Sequence, residues 1–576
     1  MNRIKFFLLL STLFSPLLLT AEVQPAAEPI SEESSVDKRQ ITYLLQSGEY
    51  SKSFALYRKW KTKLGRHDFE VLHQFGQILL EEGARSSDPE RQLVSIFGAG
   101  LAGTSSSWEI LESGIRSPHP QTQMATIQLL GRLQDDHSDE LLVKAMGSEF
   151  FFSRLEAAYF LSMRKHRMVT GQLEALMHRV PEEMRFFFPE FFALIGTTDA
   201  ISVLRHMMDE RSPVVRTEAI LNAGRYERDD LLPQIRAQAT HLNIAEQEAC
   251  AYALGILKDS KSLPQLKKLS ASPSANVRLS ALKSLYLLGN TEVKEELVDL
   301  AKGKDLFAIA SLGELQPGDT AHVKELLFAL SQDSNLQVRF NATVSLLMTR
   351  DERAARPLIE FLLRDGRDLG FQPQFSLGRA NMAWKVVTSA SHKSSEQFDL
   401  SAISLSVREH LLRLSLELPE TAFLRIARSI FDSRQSDLVP LLVHLLENLH
   451  TEESITLLKE KSQTAGAPLI RAYCNLALFR LRLDGNYEKQ LMEWLGAKKE
   501  SELFRFRPMT MRSSLRLADC SFELTPEEHS KLLIESLEAL VRRYEEKGLD
   551  LLLTLLQEGN PKNRPILAGL LLQMMQ

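Results

Sequence analysis

The chain has 576 residues, of which 44% are hydrophobic and 25% charged, with a formal net charge of −5. This composition supports a buried core and argues against general disorder, and its slightly acidic balance offers no field for phosphate backbones, so no nucleic-acid partner is expected. A chain this long either divides into several globular domains or is built from repeats.

Residues 1–21, "MNRIKFFLLLSTLFSPLLLTA", set Arg3 and Lys5 before an apolar run and end on a small residue, the layout of a cleaved signal peptide. The run from Phe6 to Leu19 contains Pro16 and is shorter than the roughly 20 residues of a spanning helix. The protein is therefore expected to be exported, to a periplasm first and secreted as the alternative, with no stable membrane span after removal of the leader. Losing Arg3 and Lys5 takes the formal charge from −5 to −7. Residues 22–37 carry five acids, no base and two prolines, and read as a disordered acidic linker.

Residues 38–116 read as an N-terminal helical cap, in which Gly48, Tyr50, Phe54, Ala55 and Tyr57 have the spacing of half a tetratricopeptide (TPR-like) unit. A repeat follows. Val215, Arg216 and Ala219 form V-R-x-x-A, which returns at Val277, Arg278, Ala281 and at Val338, Arg339, Ala342, with the arginines 62 and 61 residues apart. Weaker copies fall halfway, at Glu248 with Ala251 and at Phe307 with Ala310, so the unit is about 31 residues. Stepping back from Arg216 reaches Arg185, Arg154, Thr122 and Arg91; forward, Arg408, Val439 and Arg471 continue the series. Positions three and seven after this slot lie on one helical stripe, as in Ala219 with Ala223 or Ala281 with Leu285, and small residues there allow a neighbouring helix to approach closely. Pro233, Pro264 and Pro357 then mark the first turns of second helices. Each unit is a helical hairpin too small to bury its own apolar stripe, so hairpins must stack, which predicts an all-α solenoid with an exposed concave wall.

The phrases "SPVVRTEAILNAG", "SANVRLSALKSLYLLG" and "NLQVRFNATVSLLM" resemble HEAT repeats, in particular the short bacterial HEAT-like form. The resemblance implies an α-solenoid that usually binds other macromolecules, with enzymes in the minority. It is clear over the repeats of 117–365, interrupted by an irregular insertion at 366–400, and degenerate over 401–497; residues 498–576 read as a C-terminal helical cap. Pro189 inside an expected first helix, and the slipped apolar positions of "KDLFAIASLGEL", depart from the pattern.

Candidate sites were weighed against packing. The arginine ladder of Arg154, Arg185, Arg216, Arg278, Arg339 and Arg471 reads as structural, pairing with turn carboxylates such as Asp209 and Asp333 and with backbone. Gly98, Gly100 and Gly103 spell G-x-G-x-x-G, but no strand precedes them, so no dinucleotide site is assigned. Phe150, Phe151, Phe152, Phe186, Phe187 and Phe191 crowd two adjacent units more than two apolar stripes need and read first as core packing, with partner binding as the alternative. Arg505, Arg507 and Arg512, interleaved with Phe504 and Phe506, read first as a solvated face and otherwise as candidates for meeting phosphate, lipid headgroups or an acidic partner. Cys250, Cys474 and Cys520 are too few for a disulfide framework, and the first two read as buried thiols. The terminal "RPILAGLLLQMMQ" is too short to span a bilayer and reads as a last docked helix.

No H-E-x-x-H, G-x-S-x-G, P-loop or paired-cysteine motif occurs, and the histidines lack metal-ligand spacing, so no catalytic, cofactor or metal site is assigned. The expectation is an exported, non-catalytic scaffold that binds protein partners through its concave face. An enzyme on the same frame, of the lyase type that handles small molecules, and a secreted effector binding a host protein are the alternatives.

Overall fold

The computed structural model describes residues 32–104, 107–315, 321–364, 369–388, 401–433, 436–498, 505–507, 523–525, 528–543 and 546–575, with backbone alone for 32–37, 401–404, 505–507, 523–525 and 528–531. The signal peptide proposed for residues 1–21 lies outside them. The architecture is helical throughout, with two small antiparallel hairpins of strands added. Among the described residues no helix is long and apolar enough to cross a membrane.

The chain forms two units, one of residues 161–445 and one of the described parts of 10–160 and 446–576. In the first unit, helices Pro213–Arg225, Ile244–Ile256, Ala275–Leu287, Leu306–Leu312 and Leu336–Met348 are the first helices of successive hairpins, each followed by a second helix. Their small stripe is buried to completion: Ala219, Ala223, Ala281 and Ala342 have no exposed surface. Close approach follows from it. Gly224 abuts Ala253, Gly255 abuts Ser284, and the Ser284 hydroxyl donates to the Ala251 carbonyl at 2.6 Å. These first helices therefore lie side by side as one wall.

The turn inside each hairpin has a fixed form. Lys165, Gly196, Glu227, Lys258, Gly289, Arg350, His450 and Arg482 all have positive φ, each eleven residues after a slot position. The next N–H returns to the helix, from Arg228 to the Ala223 carbonyl at 2.8 Å and from Asp259 to Leu254 at 3.0 Å, the 6→1 closure of a Schellman end. Three of the degenerate slots shift by one residue: counting back from Lys258 and Gly103 gives Gln247 and Gln92 rather than Glu248 and Arg91, and the side-chain bond to the carbonyl six residues back gives Gln123 rather than Thr122. Cys250 then stands three after its slot, where Ala219 and Cys474 stand in other units; Cys250 and Cys474 are both fully buried, and burial pushes both thiols far up.

Other departures have local causes. Pro189 cannot continue a helix from Glu182, so a 3-10 stretch, Glu182–Phe187, precedes a short helix, Phe188–Ile195, that carries the proline in its first turn. A helix, Glu32–Gln46, begins inside the segment expected to be a disordered linker. The insertion expected to be irregular contains a hairpin of β1 (Leu369–Phe375) and β2 (Met382–Thr388). The region expected to be a purely helical C-terminal cap includes a short ladder of β3 (Arg505–Arg507) and β4 (Glu523–Thr525) before its three helices.

In the second unit the two ends of the chain share a core. The last helix, Arg564–Gln573, packs on Pro89–Ala102 and Phe69–Ala84. Its approach is set by glycine: a Cβ on Gly569 would come 2.2 Å from the Gly98 carbonyl oxygen, and one on Gly98 would come 2.2 Å from that of Pro565. The G-x-G-x-x-G spelling is thus a helix-packing surface ended by Gly103 at positive φ. Lys61 adds an ion pair to Asp550 at 2.7 Å.

Two stability effects follow. Glu227 and Lys258 are exposed and left-handed, so Glu227→Gly and Lys258→Gly should each raise stability by about 0.5–1 kcal/mol in urea denaturation, the relief of αL strain outweighing the added freedom of the unfolded chain. Gly569→Ala should lower it by about 1–3 kcal/mol, because the new methyl meets backbone that cannot rotate away.

Candidate protein-binding surface

The arginine ladder closes turns between hairpins. Arg216 donates to the carbonyls of Glu210 and Arg211 at 2.6 and 2.8 Å, Arg278 to those of Ser272 and Pro273 at 2.8 and 3.1 Å, and Arg471 to those of Ala465 and Gly466. Arg154 reaches the Ser148 carbonyl in the same way. Gln92, Gln123 and Gln247 make the same bond six residues back, to Ser86, Ser117 and His241, at 2.7, 2.8 and 2.6 Å. In these units the slot carries a long side chain with an N–H donor, which supplies a partner to carbonyls just past a helix end, whereas Val439 fills it without one. The carboxylates differ from those expected. Arg216 pairs with the fully buried Glu246 at 2.6 Å, and Asp333 pairs with Lys304 at 2.7 Å, with Arg339 contributing only at longer range to holding the Asp333 carboxyl low. Arg185 lies 3.5 Å from Glu210.

The wall of first helices in the 161–445 unit is covered by the β1–β2 hairpin, a contact that sequence reading did not anticipate. The Asn341 side chain exchanges two hydrogen bonds with the main chain of Trp384, both 2.8 Å, and Gln337 does the same with Val386 at 2.6 and 2.7 Å. At the tip, Glu248 accepts from the Gly378 N–H at 2.8 Å, from the Asn381 amide at 3.0 Å and from the Ser376 hydroxyl. Asn381 also donates to Ser280 at 2.8 Å, and Arg379 pairs with Glu218. Burial raises the Glu218 carboxyl above its usual range, opposed by Arg379. Phe371 stacks on Phe340 at 4.5 Å, with Phe361 edge-on to Phe340 at 4.8 Å. Glu218, Ser280 and Asn341 each stand two residues after an arginine slot; a polar residue repeated there, on otherwise apolar helices, is the signal that marks this contact in the sequence.

The aromatic candidates separate. Phe191, with 8% of its surface exposed, belongs to the core with Phe188 and Phe192, which corrects its assignment as a partner anchor. Phe186 and Phe187 are half-buried, their rings 4.1 Å apart on the 3-10 stretch. Phe150, Phe151 and Phe152 are likewise half-buried, in the other unit, with the last two edge-to-face at 5.6 Å. Arg505 and Arg507 stand on β3, and their side chains, like Arg512 and Cys520, lie outside the described residues. Large apolar side chains are exposed at the turns before first helices, Val214 by 55%, Ile244 by 45% and Leu242 by 95%. No group of His, Cys, Asp and Glu among the described residues is placed to hold a metal ion. A cavity of about 300 Å³ beside Tyr57, Arg58, Lys61, Asp550 and Glu558 has its nearest charges paired with each other, Lys61 with Asp550.

No protein-family model and no curated protein sequence matches the chain. Solved structures do. The complex of CpcE and CpcF of phycocyanin lyase from Nostoc sp. PCC7120 is 19% identical, with a TM-score of 0.29, over 38% of this chain and 92% of that one. The karyopherin Kap121p bound to the extreme C-terminus of the protein phosphatase Cdc14p is 13% identical, TM-score 0.37, over 90% of this chain and 62% of that one. The UNC-45 chaperone is 11% identical, TM-score 0.20, over 88% of this chain and 60% of that one. Their shared architecture is the HEAT/armadillo-type helical solenoid, and this chain has it. The likeness extends to fold alone.

The slot chemistry separates two substitutions. Arg278→Gln should cost less than about 0.5 kcal/mol, since glutamine makes this bond elsewhere in the chain, whereas Arg278→Leu should cost about 1–2 kcal/mol by leaving turn carbonyls unpaired. Arg216→Gln should cost about 3 kcal/mol, because the buried Glu246 loses its cation. Urea denaturation of the three variants checks the order.

Proposed function

We propose that this chain is an exported, non-catalytic scaffold that holds a protein partner against apolar side chains left uncovered by its helical hairpins. The observation that carries this reading is the pair Phe186 and Phe187. Two rings tilted against each other stay only half-buried where Pro189 breaks the first helix, while Phe188 and Phe192 of the same stretch lie fully in the core. Aromatic rings held rigidly at a surface supply large contact area at small cost in side-chain freedom, and such residues dominate the centres of protein interfaces. Phe150, Phe151 and Phe152 supply a second group of the same kind in the other unit. The leader layout of residues 1–21 supports export, with a periplasm as the first destination. The solenoid fold supports a binding role, since stacked hairpins present long surfaces that suit macromolecular partners.

Photocrosslinking in intact cells from position 187 should trap a discrete protein. Phe186→Ser with Phe187→Ser should reduce its capture about tenfold or more, with helicity and melting unchanged. Full capture by the double variant rejects this surface, and failure to trap any protein from either aromatic group rejects the scaffold reading.

A further inference from the structure

The contact between the β1–β2 hairpin and the wall beneath it combines a buried apolar cluster, Phe371, Trp384 and Val386 among it, with main-chain-directed hydrogen bonds and a charge-complementary tip. Asn341 and Gln337 bond no side chain of the hairpin; they take the N–H and C=O of Trp384 and of Val386. The geometry suits any strand. Four residues along a helix advance about 6.0 Å and two along a strand about 6.6–6.8 Å, so side chains at 337 and 341 meet alternate residues of an extended chain. The helix thus serves β2 as a neighbouring strand would. Beyond it, Glu248 takes the main-chain N–H of Gly378 as well as two side-chain donors. Residues 369–388 contain Arg379 and Lys385 and no acid, in a chain whose net charge is −5, and they lie over Glu218 and Glu248.

A permanent plug would not need such a surface. Buried carboxylates are commonly replaced by apolar residues at no loss of stability, whereas Glu248 has no exposed surface and Glu218 only 5%. Glu218, Glu248, Ser280, Gln337 and Asn341 would all be readily hydrated if the hairpin left, so this polar half of the contact has the character of a separable interface beside the apolar half that holds the hairpin down. Phe340, beneath Phe371, supplies an apolar anchor.

From these contacts we infer that the wall formed by helices Pro213–Arg225, Ile244–Ile256, Ala275–Leu287 and Leu336–Met348 recognises an extended, acid-free polypeptide segment bearing an aromatic and a basic side chain, and that residues 369–388 are its tethered occupant. The inference rests on the scaffold reading for its purpose and assigns it a second, separate surface. An incoming partner strand takes the place of the hairpin, its main chain on Gln337 and Asn341, its aromatic ring on Phe340 and its basic group on Glu218.

The test uses the full chain and a fluorescein-labelled synthetic peptide of sequence 369–388. With the resident hairpin replaced by a glycine–serine linker of equal length, the chain should bind the peptide at least about tenfold more tightly than the unaltered protein. Gln337→Ala with Asn341→Ala should remove that gain, as should a peptide carrying Arg379→Glu and Lys385→Glu. A replaced chain of native helicity that binds the peptide no better than the unaltered one, or equally well without the two amides, overturns the inference. Should the replaced chain fail to fold, Arg379→Glu in the intact protein sets like charge against Glu218. Excess peptide should then speed hydrogen exchange at the Trp384 and Val386 N–H groups, and unchanged protection overturns the inference. Because the peptide is measured on purified protein, its failure beside successful trapping through Phe187 rejects this surface and leaves the scaffold standing.

Discussion

A side-chain N–H donated to a carbonyl six residues back closes the turn between one hairpin and the next, and the regularity of the fold depends on it. The donor fixes where a first helix starts, because the capping residue lies four positions before it, as Ser212 does before Arg216 and Asn243 before Gln247. The left-handed residue eleven positions after the donor fixes where that helix ends. Where both constraints act, first helices come out at nearly the same length. Helices Pro213–Arg225, Ile244–Ile256, Ala275–Leu287, Leu336–Met348 and Pro468–Arg480 are each 13 residues long. Second helices, which have no such pair of stops, vary from seven residues at Leu232–Gln238 to thirteen at Glu452–Thr464.

Much of this was legible in the sequence, because V-R-x-x-A combines a donor with a small residue and both are demanded by geometry. What was misread was misread for a physical reason. Arginine was taken as the mark of the slot, but the chemistry asks only for a long N–H donor, so Gln92, Gln123 and Gln247 escaped and the register slipped by one at those units. The left-handed turns were hidden in the same way, since six of the eight carry Lys, Glu, Arg or His where glycine would have announced them. The β1–β2 hairpin was less accessible still. Its strands are seven residues each, Pro373 interrupts one of them, and the partner of β2's outer edge is a pair of side-chain amides on a helix.

One glycine motif near the chain's start has its role in packing. Gly98 and Gly100 lack a preceding strand, which rules out the dinucleotide fingerprint, yet they stand in a helix interior, where each glycine costs about 1 kcal/mol relative to alanine. A cost of that size points to a close approach. The surface that takes it is Gly569 on a helix more than 450 residues away, where backbone meets backbone with no room for a Cβ. No local pattern reveals such a partner, because the two glycines are complementary only after the chain has brought its ends together.

Turn clamps, small stripes and left-handed ends are the same from unit to unit, so they carry no information about what the protein recognises. Recognition must lie where a unit departs from the others at a cost the fold did not require. Two places in the 161–445 unit meet that condition. At Glu182–Phe187 the first helix gives way to a 3-10 stretch, and two rings stay uncovered beside a core that already has Phe188 and Phe192. At 369–388 an inserted hairpin lies on a wall whose polar residues, Glu218, Ser280 and Asn341, recur at one repeat position without serving the stacking of the helices. Both departures present chemistry suited to polypeptide, rings in the first case and a main-chain amide ladder in the second.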